Sequence, residues 1–396
     1  MKKYSNYSGK VAIQQKVVSD YRAVFFERLA ESCSGGVEVF AGDTPTEPGT
    51  QTVNHLHGAN LYNSKNLHFL QEKVYSLWQK NFTSWLKRHR PDVLLVEANP
   101  RILSNYQGYR LMKKWNRPVI GWGLGSLDWD IPVWMLSARK SFFRQFYKCF
   151  DLMIAYSNKG ADDYIACGVP KERVFIAPNS VCAENAERTK EKIEQNPTLV
   201  EQFKKTNGFS DKPIIMFAGR LIPSKRVNDL IEACSVMKSD YQLLIVGDGP
   251  DRLKLENLAK KLHSNVRFLG YQSGEELAFS FSVADLFVLP GSGGLAVQEA
   301  MIYGKPVIVA SADGTQTDLV REGENGFHAT LGDIPALSQT INESLKHRSR
   351  LSEMGKESRR IVTEEFNLNI MVQTFINAFN FVSTRNENPA EYCKSD

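Results

Sequence analysis

Asp285-Leu286-Phe287-Val288-Leu289-Pro290-Gly291-Ser292-Gly293-Gly294-Leu295-Ala296-Val297-Gln298-Glu299-Ala300-Met301 is the stretch on which the reading of this chain turns. Residues 285–289 form a buried strand, three glycines in four positions make a turn, and a helix opens at about Leu295 and ends at Gly304. The chain then re-enters a strand at Pro306-Val307-Ile308-Val309. Glycines at a strand-to-helix turn let backbone approach a ligand closely. The helix N-terminus behind them offers unpaired N–H groups and a partial positive charge, which suits an anion, above all a phosphate. Glu299 stands about one turn into the helix, where a carboxylate can accept from sugar hydroxyls. A plainer reading also fits: the glycines make a tight turn and Glu299 complements the helix dipole.

The same alternation extends outward in both directions. In the second half, strands are expected at 213–218, 242–246, 266–269, 285–289 and 306–310. Helices lie between them at 224–237, 251–263, 274–281 and 295–303, followed by 334–346, 350–365 and 368–382. In the first half, strands at 10–18, 37–41, 92–98, 118–121, 152–156 and 173–177 alternate with helices at 21–32, 66–89, 101–115, 132–150 and 159–167. Continuously apolar strands in β-α alternation argue for parallel sheets covered on both faces. The division expected is a first Rossmann-like domain over 1–182, a polar linker with a solvated helix over 183–211, a second Rossmann-like domain over 212–366, and a final helix over 367–383. Open α/β sheets bind ligands beyond the carboxyl ends of their strands. Two such domains facing a central cleft make a two-substrate enzyme.

Phe217-Ala218-Gly219-Arg220-Leu221-Ile222-Pro223-Ser224-Lys225-Arg226 opens the second series, with Arg220 directly after the first strand and Lys225 at the start of the next helix. A fixed guanidinium and an ammonium acting together stabilise charge that grows on a leaving diphosphate. Val246-Gly247-Asp248-Gly249-Pro250 and Gly270-Tyr271-Gln272 end the two following strands. In the first half, Asp20-Tyr21-Arg22, Glu97-Ala98-Asn99-Pro100-Arg101 and Gly121-Trp122-Gly123-Leu124-Gly125-Ser126-Leu127-Asp128 follow strand ends. Arg22, Asn99, Arg101 and Trp122 are the candidates to meet an acceptor.

Residues 290–308 resemble the donor-site signature of the retaining family-4 glycosyltransferases, the glycosyl transferases group 1, which have the two-domain GT-B fold. Gly294-Leu295, Glu299-Ala300-Met301 and Gly304-Lys305-Pro306-Val307-Ile308 carry the likeness, and Gly219-Arg220-Leu221 with Lys225 is similar to a second family motif in place and order. The resemblance implies that Arg220 and Lys225 grip a donor diphosphate and that Glu299 holds the ribose. It implies a donor site lined by Gly219, Gly247, Tyr271, Gly293, Gly294 and Leu295, with Tyr271 beside the base. It also implies a last helix that crosses back to the first domain. The sequence departs from the family at Gly291, eight residues before Glu299, where a glutamate facing the donor sugar is usual. It lacks the glycine-rich loop after the first strand, and no histidine stands in 121–128, where Asp128 is the candidate catalytic substitute.

Composition sets the remaining bounds. The chain has 396 residues, 42% hydrophobic and 23% charged, with a net charge of +5. Residues 1–180 hold 24 Lys and Arg against 15 Asp and Glu, or +9, and 181–396 hold 25 against 29, or −4. The basic first half suits a phosphorylated acceptor or an anionic membrane surface, or is a plain excess of solvated lysines. The helix 132–150 interleaves aromatic and basic residues, as an interfacial helix does and as a core-facing helix with a basic outer face also does. Six scattered cysteines without paired spacing read as reduced thiols of a cytoplasmic protein. No apolar run approaches a membrane span, the seven histidines have no metal spacing, and no nucleic-acid motif appears. No Gly-x-Gly-x-x-Gly joins a strand to a helix, against a dehydrogenase.

The function expected is retaining transfer of a sugar from a UDP- or GDP-linked donor to a glycan or lipid-linked hydroxyl, in surface polysaccharide or glycoconjugate assembly. It needs no metal and no cofactor beyond the donor. A sugar-nucleotide epimerase of similar shape and a non-catalytic binding protein are the alternatives.

Overall fold

A computed structural model describes residues 6–43, 52–69, 76–125, 136–237, 240–262, 264–310 and 312–387. The chain divides into two units, Met1–Pro178 with Asn369–Asp396, and Asn179–Leu368. Each is built on one sheet.

The first unit runs β1 (Val11–Gln15), α1 (Asp20–Glu31), β2 (Val37–Asp43), β3 (Asn60–Phe69), β4 (Ser76–Gln79), α2 (Phe82–His89), β5 (Val93–Glu97), α3 (Leu103–Lys114), β6 (Val119–Gly123), α4 (Leu136–Tyr147), β7 (Leu152–Ala155), α5 (Asn158–Ala166) and β8 (Val174–Ile176). The strand order is β4-β3-β2-β1-β5-β6-β7-β8. All neighbours are parallel except β3 and β4, which are antiparallel. Strands β1 and β7 are buried along their whole length, as expected of a sheet covered on both faces.

Residues 66–89 are not one helix. Asn60–Phe69 lies parallel to β2, from Glu38↔Asn60 to Asp43↔Lys65, and Tyr62 stacks on Phe40 with ring centroids 5.3 Å apart. Ser76–Gln79 pairs back on β3, and only Phe82–His89 is helical, after a left-handed turn at Asn81 (φ 66°). The edge of β2 supplies hydrogen bonds that the local sequence pattern does not report. Helix α4 also resolves an open choice. Phe143, Phe146, Tyr147 and Phe150 enter the core of this unit, leaving Phe142 exposed. The aromatic face considered for a membrane surface is therefore the core face. Residues 132–135 of that expected helix lie outside the described residues.

The second unit runs α6 (Ala183–Glu194), α7 (Pro197–Thr206), β9 (Ile214–Ala218), α8 (Val227–Ser235), β10 (Gln242–Val246), α9 (Arg252–Lys261), β11 (Val266–Gly270), α10 (Gly274–Val283), β12 (Leu286–Leu289), α11 (Leu295–Ile302), β13 (Val307–Ala310), α12 (Thr315–Leu319), β14 (Gly326–Ala329), α13 (Ile334–Leu345) and α14 (Arg348–Glu364). Its sheet, β11-β10-β9-β12-β13-β14, is parallel throughout. Residues 183–211 are no linker. They carry α6 and α7, and Ile193 and Phe209 are buried in the core of this unit. The buried Gln298 accepts from the Val181 amide and donates to the Asn179 carbonyl, which ties the start of the unit to α11. Strand β14 and helix α12 have no counterpart in the expected elements.

The last helix, α15 (Leu368–Glu387), packs from Asn369 onward on the first unit. Phe375 is fully buried there, edge-on to Phe25 and Trp122 with centroids 4.9 Å from each. Arg28 donates to Asn369, and Tyr7 is bonded to Ser383 at 3.0 Å. Among the described residues no helix is long and apolar enough to cross a membrane. Phe375→Ala is expected to cost about 3–5 kcal/mol, the usual penalty for emptying a packed aromatic site. It is read as a lowered urea midpoint for the transition that involves the first unit.

Candidate active site

In the second sheet, β9 is followed in space by β10 and β11 on one side and by β12 and β13 on the other. The chain order reverses between β9 and β12, and the loops leaving their carboxyl ends diverge there, which is where open α/β sheets take ligands. Gly219 and Arg220 leave β9, Gly247 leaves β10, and residues 290–294 leave β12. Gly219 (φ 151°) and Gly247 (φ 131°) touch backbone to backbone: a Cβ on Gly247 would stand 1.9 Å from the Gly219 carbonyl oxygen. Tyr271, just past β11, is exposed beside this edge, since the Gly247 amide donates to the Gly270 carbonyl at 2.7 Å.

Lys225 is not on a helix. It ends a short 3-10 turn, Pro223–Lys225, and Arg226 (φ 52°) redirects the chain before α8 begins. That turn faces the glycine loop. The Ser292 amide donates to the Ser224 carbonyl at 3.0 Å, and the Lys225 ammonium donates to the Ser292 carbonyl at 2.5 Å. Burial lowers the ammonium's pKa, while the charge of Asp313 works the other way. Gly291 lies in the same contact. A Cβ there would stand 2.2 Å from the Ser224 oxygen and 2.6 Å from the Lys225 carbonyl carbon. With the two loops in this arrangement, position 291 admits no side chain, glutamate included. The departure from the family pattern is thus built into the packing.

Glu299 lies on the first turns of α11, which leaves its N-terminal N–H groups outside the helix ladder. It is half-buried; the loss of surrounding water raises its pKa from 4.5 to about 7, and among the described residues its carboxylate has no ion pair. The Arg220 Nε is buried without a hydrogen-bond partner among the described residues. A buried polar group without a partner costs free energy. A cation and a carboxylate left so at one sheet edge are groups whose partners a ligand can supply.

Sequence reasoning passed over the corner that follows β13. Asp313 Oδ1 accepts from the Thr315 amide at 3.0 Å and from the Thr315 hydroxyl at 2.5 Å. Gln316 is fully buried. With its amide turned so that both ends are satisfied, it donates to Asp313 Oδ1 at 3.0 Å and accepts from the Gly293 amide at 2.7 Å. A Cβ on Gly294 would meet the Thr315 hydroxyl at 3.0 Å. The Asp-Gly-Thr turn after a strand was the available signal, and it reads locally as an ordinary helix entry.

In the first unit the order reverses between β1 and β5. Arg22, after β1, donates to Gln15 and to the Tyr156 hydroxyl, both at 2.8 Å, and its guanidinium lies 4.7 Å from the Trp122 ring centroid. Burial works against its charge, but Tyr156, Tyr21 and Glu97 more than offset this and raise its pKa. Trp122 is 1% exposed and lies beneath Arg22, so it supports the cation rather than facing a ligand. Asn99 and Arg101 follow β5, and the Asn99 side chain accepts from the Arg101 amide at 3.0 Å within the turn. Asp128 lies outside the described residues. Among the described residues no three His, Cys, Asp or Glu side chains are grouped so as to hold a metal ion.

The raised Glu299 pKa has a signed consequence. Between pH about 4.5 and 7 the folded chain holds a proton that the unfolded chain has shed, so this carboxyl makes stability fall as pH rises through that window. Glu299→Gln should flatten that fall, and urea midpoints of both proteins from pH 4.5 to 7.5 measure it. Parallel curves would refute the half-buried, unpaired carboxylate.

Two family models match the chain: glycosyl transferases group 1 over residues 200–361, and glycosyltransferase family 4 over 31–185. The sulfoquinovosyl transferase of Arabidopsis thaliana is 28% identical over 293 residues, 70% of this chain and 54% of that protein. A GDP-mannose-dependent alpha-mannosyltransferase of Mycobacterium tuberculosis is 28% identical over 335 residues, 81% of this chain and 82% of that one. The chain spans about half the length of several of the curated relatives it matches. Among solved structures, Anabaena HepE in complex with UDP is similar with a TM-score of 0.71 at 16% identity, covering 94% of this chain and 99% of that one. The sucrose-phosphate synthase of Thermosynechococcus elongatus is similar with a TM-score of 0.72 at 19% identity, covering 95% and 99%. These likenesses concern the fold, and the family models match in both units. The chain belongs to the family-4, group 1 glycosyltransferases, and its fold is GT-B.

Proposed function

We propose that the chain is a retaining glycosyltransferase that moves a sugar from a nucleoside-diphosphate donor to a hydroxyl of a glycan or lipid-linked acceptor, in surface polysaccharide or glycoconjugate assembly. The observation that carries this reading is the edge of the second sheet, where Lys225 is bonded to the glycine loop, Arg220 leaves β9 with its Nε buried and unpartnered among the described residues, and Glu299 has no ion pair among them. A diphosphate takes the two cations and the amides that open α11. Glu299, once ionised, accepts the two ribose hydroxyls. As the anomeric carbon–oxygen bond breaks, negative charge grows on the departing diphosphate, and a guanidinium already fixed at that place stabilises it without reorganising. The family resemblance supports retention of configuration. HepE was solved with UDP, and the mycobacterial relative is named for GDP-mannose, which supports a nucleoside diphosphate without choosing the base.

Isothermal titration with UDP, GDP and a panel of their sugars tests the reading: at least one should bind, and a wild-type chain that binds none overturns it. With a turning-over donor, Arg220→Ala should lose about 10²–10³ in kcat while donor affinity changes less, because the charge it meets grows in the transition state. Unchanged kcat would mean that the diphosphate lies elsewhere. Two cations in place of a divalent ion also make turnover independent of metal. Activity should survive excess chelator, and a loss restored by magnesium or manganese would count against the assignment.

A further inference from the structure

We infer that Asp313 is the donor-sugar contact of this site, a specificity-determining carboxylate that selects neutral, hydroxyl-rich sugars. The inference rests on the proposed donor site and names which sugars it takes.

The sugar of a nucleotide sugar is joined directly to the outer phosphate. With that phosphate at Lys225 and the loop amides, the sugar lies within a few ångströms of residues 291–294. No side chain reaches it from position 291, where a Cβ would stand 2.2 Å from the Ser224 oxygen. Ser292 is the one residue of the turn with a side chain, and its hydroxyl donates to the Ser224 carbonyl at 3.3 Å; the other two positions hold a side chain only with strain. Gly293 is at φ 124° with the Lys225 ammonium 2.3 Å from a Cβ position, and Gly294 has the Thr315 side chain 3.0 Å from its own. The loop therefore contributes main chain and one short hydroxyl already bonded to Ser224, and a carboxylate contact with the sugar has to come from outside the loop.

Asp313, after β13, is the carboxylate held against this loop. Its Oδ1 takes three donors: the Thr315 amide, the Thr315 hydroxyl and, with the amide turned as above, the Gln316 side chain. Gln316 in turn accepts from the Gly293 amide, so a fully buried side chain links Asp313 to the loop. The second oxygen, Oδ2, has no hydrogen-bond partner among the described residues, and the side chain is only half-buried. Lys225 is near enough to feel the Asp313 charge. One oxygen thus locks the residue in place, and the other remains to accept. A carboxylate acceptor beside a sugar favours hydroxyl donors and repels a second carboxylate or a sulfonate. That separates hexoses and N-acetylhexosamines, which fit, from uronic acids, which do not.

The experiment titrates wild type and Asp313→Asn with UDP, GDP, UDP-glucose, UDP-N-acetylglucosamine, UDP-galactose, GDP-mannose and UDP-glucuronic acid. Wild type should bind one or more neutral sugar nucleotides more tightly than the bare diphosphate, and at least about tenfold more tightly than the glucuronic acid form. Asp313→Asn should weaken the preferred neutral donor by about tenfold or more, leave the bare nucleoside diphosphate within about threefold, and narrow the gap to the acidic donor. Equal weakening of sugar nucleotide and bare diphosphate would show that Asp313 only positions Lys225 or the loop, which overturns the inference and leaves the donor site standing. So would unchanged affinities, a wild type that prefers the acidic sugar, or one that gains nothing from any neutral sugar. A wild type that binds no nucleotide at all removes the donor site itself.

Discussion

At the carboxyl edge of the second sheet the main chain after β12 lies directly on the main chain after β9, with nothing but hydrogen at Gly291 to separate them. That contact sets the rest of the site. It brings the Ser292 amide to the Ser224 carbonyl and the Lys225 ammonium to the Ser292 carbonyl. It holds the glycine turn against a fixed neighbour, so that the amides opening α11 are presented in one arrangement. It also bars a side chain from position 291, which hands the side-chain chemistry near the loop to the strand ends beyond it. A parallel sheet makes such an edge because successive loops leave from the same end. Glycine alone lets two of them approach this closely.

The polar groups at that edge are arranged at some cost to the empty protein. Arg220 Nε is buried and lacks a partner among the described residues, a loss of about 1–3 kcal/mol relative to a satisfied group, and the half-buried Glu299 carboxylate has no ion pair among them. Elsewhere in the same unit several polar groups are matched, although Arg267 Nε is left as Arg220 Nε is. Gln298 bridges Val181 and Asn179, Asp285 accepts from the Ile214 amide, and Arg321 pairs with Glu365. What sets the edge apart is the position of these groups beside the glycine loop, since a site that binds its ligand without reorganising keeps its groups in place beforehand.

The first unit also buries a cation, and leaves its Nε without a partner among the described residues. The two terminal nitrogens of Arg22 are bonded to Gln15 and Tyr156, and the Trp122 ring lies beneath. Phe25 and Phe375 pack against that same ring, so the cation rests on a wall to which α15 contributes. The position at the reversal of the first sheet fits a ligand contact, and the rigidity comes from the core behind it. A neighbouring candidate fares otherwise: Asn99 spends its side-chain oxygen on the turn that starts α3.

The sequence by itself determined whatever is written locally. The strand–glycine–helix unit at 285–303, the placement of Gly219 and Arg220 after a strand, and the α/β alternation of both halves are patterns of neighbouring residues. Burial and turn chemistry impose such patterns within a dozen positions. Tertiary structure alone decided which elements lie side by side. Residues 60–69 and 76–79 became an edge pair because β2 offered unfilled hydrogen bonds, and 183–211 became part of the second unit because Ile193 and Phe209 found its core. Trp122 sank beneath Arg22 because α15, from the far end of the chain, covered it. At the carboxyl edge of the second sheet, Gly291 meets Ser224, and Asp313 meets the glycine loop through Gln316, across long stretches of intervening chain. Contacts of that kind leave no period and no spacing in the sequence, because they arise only when separate strands pair and bring their loops to one edge.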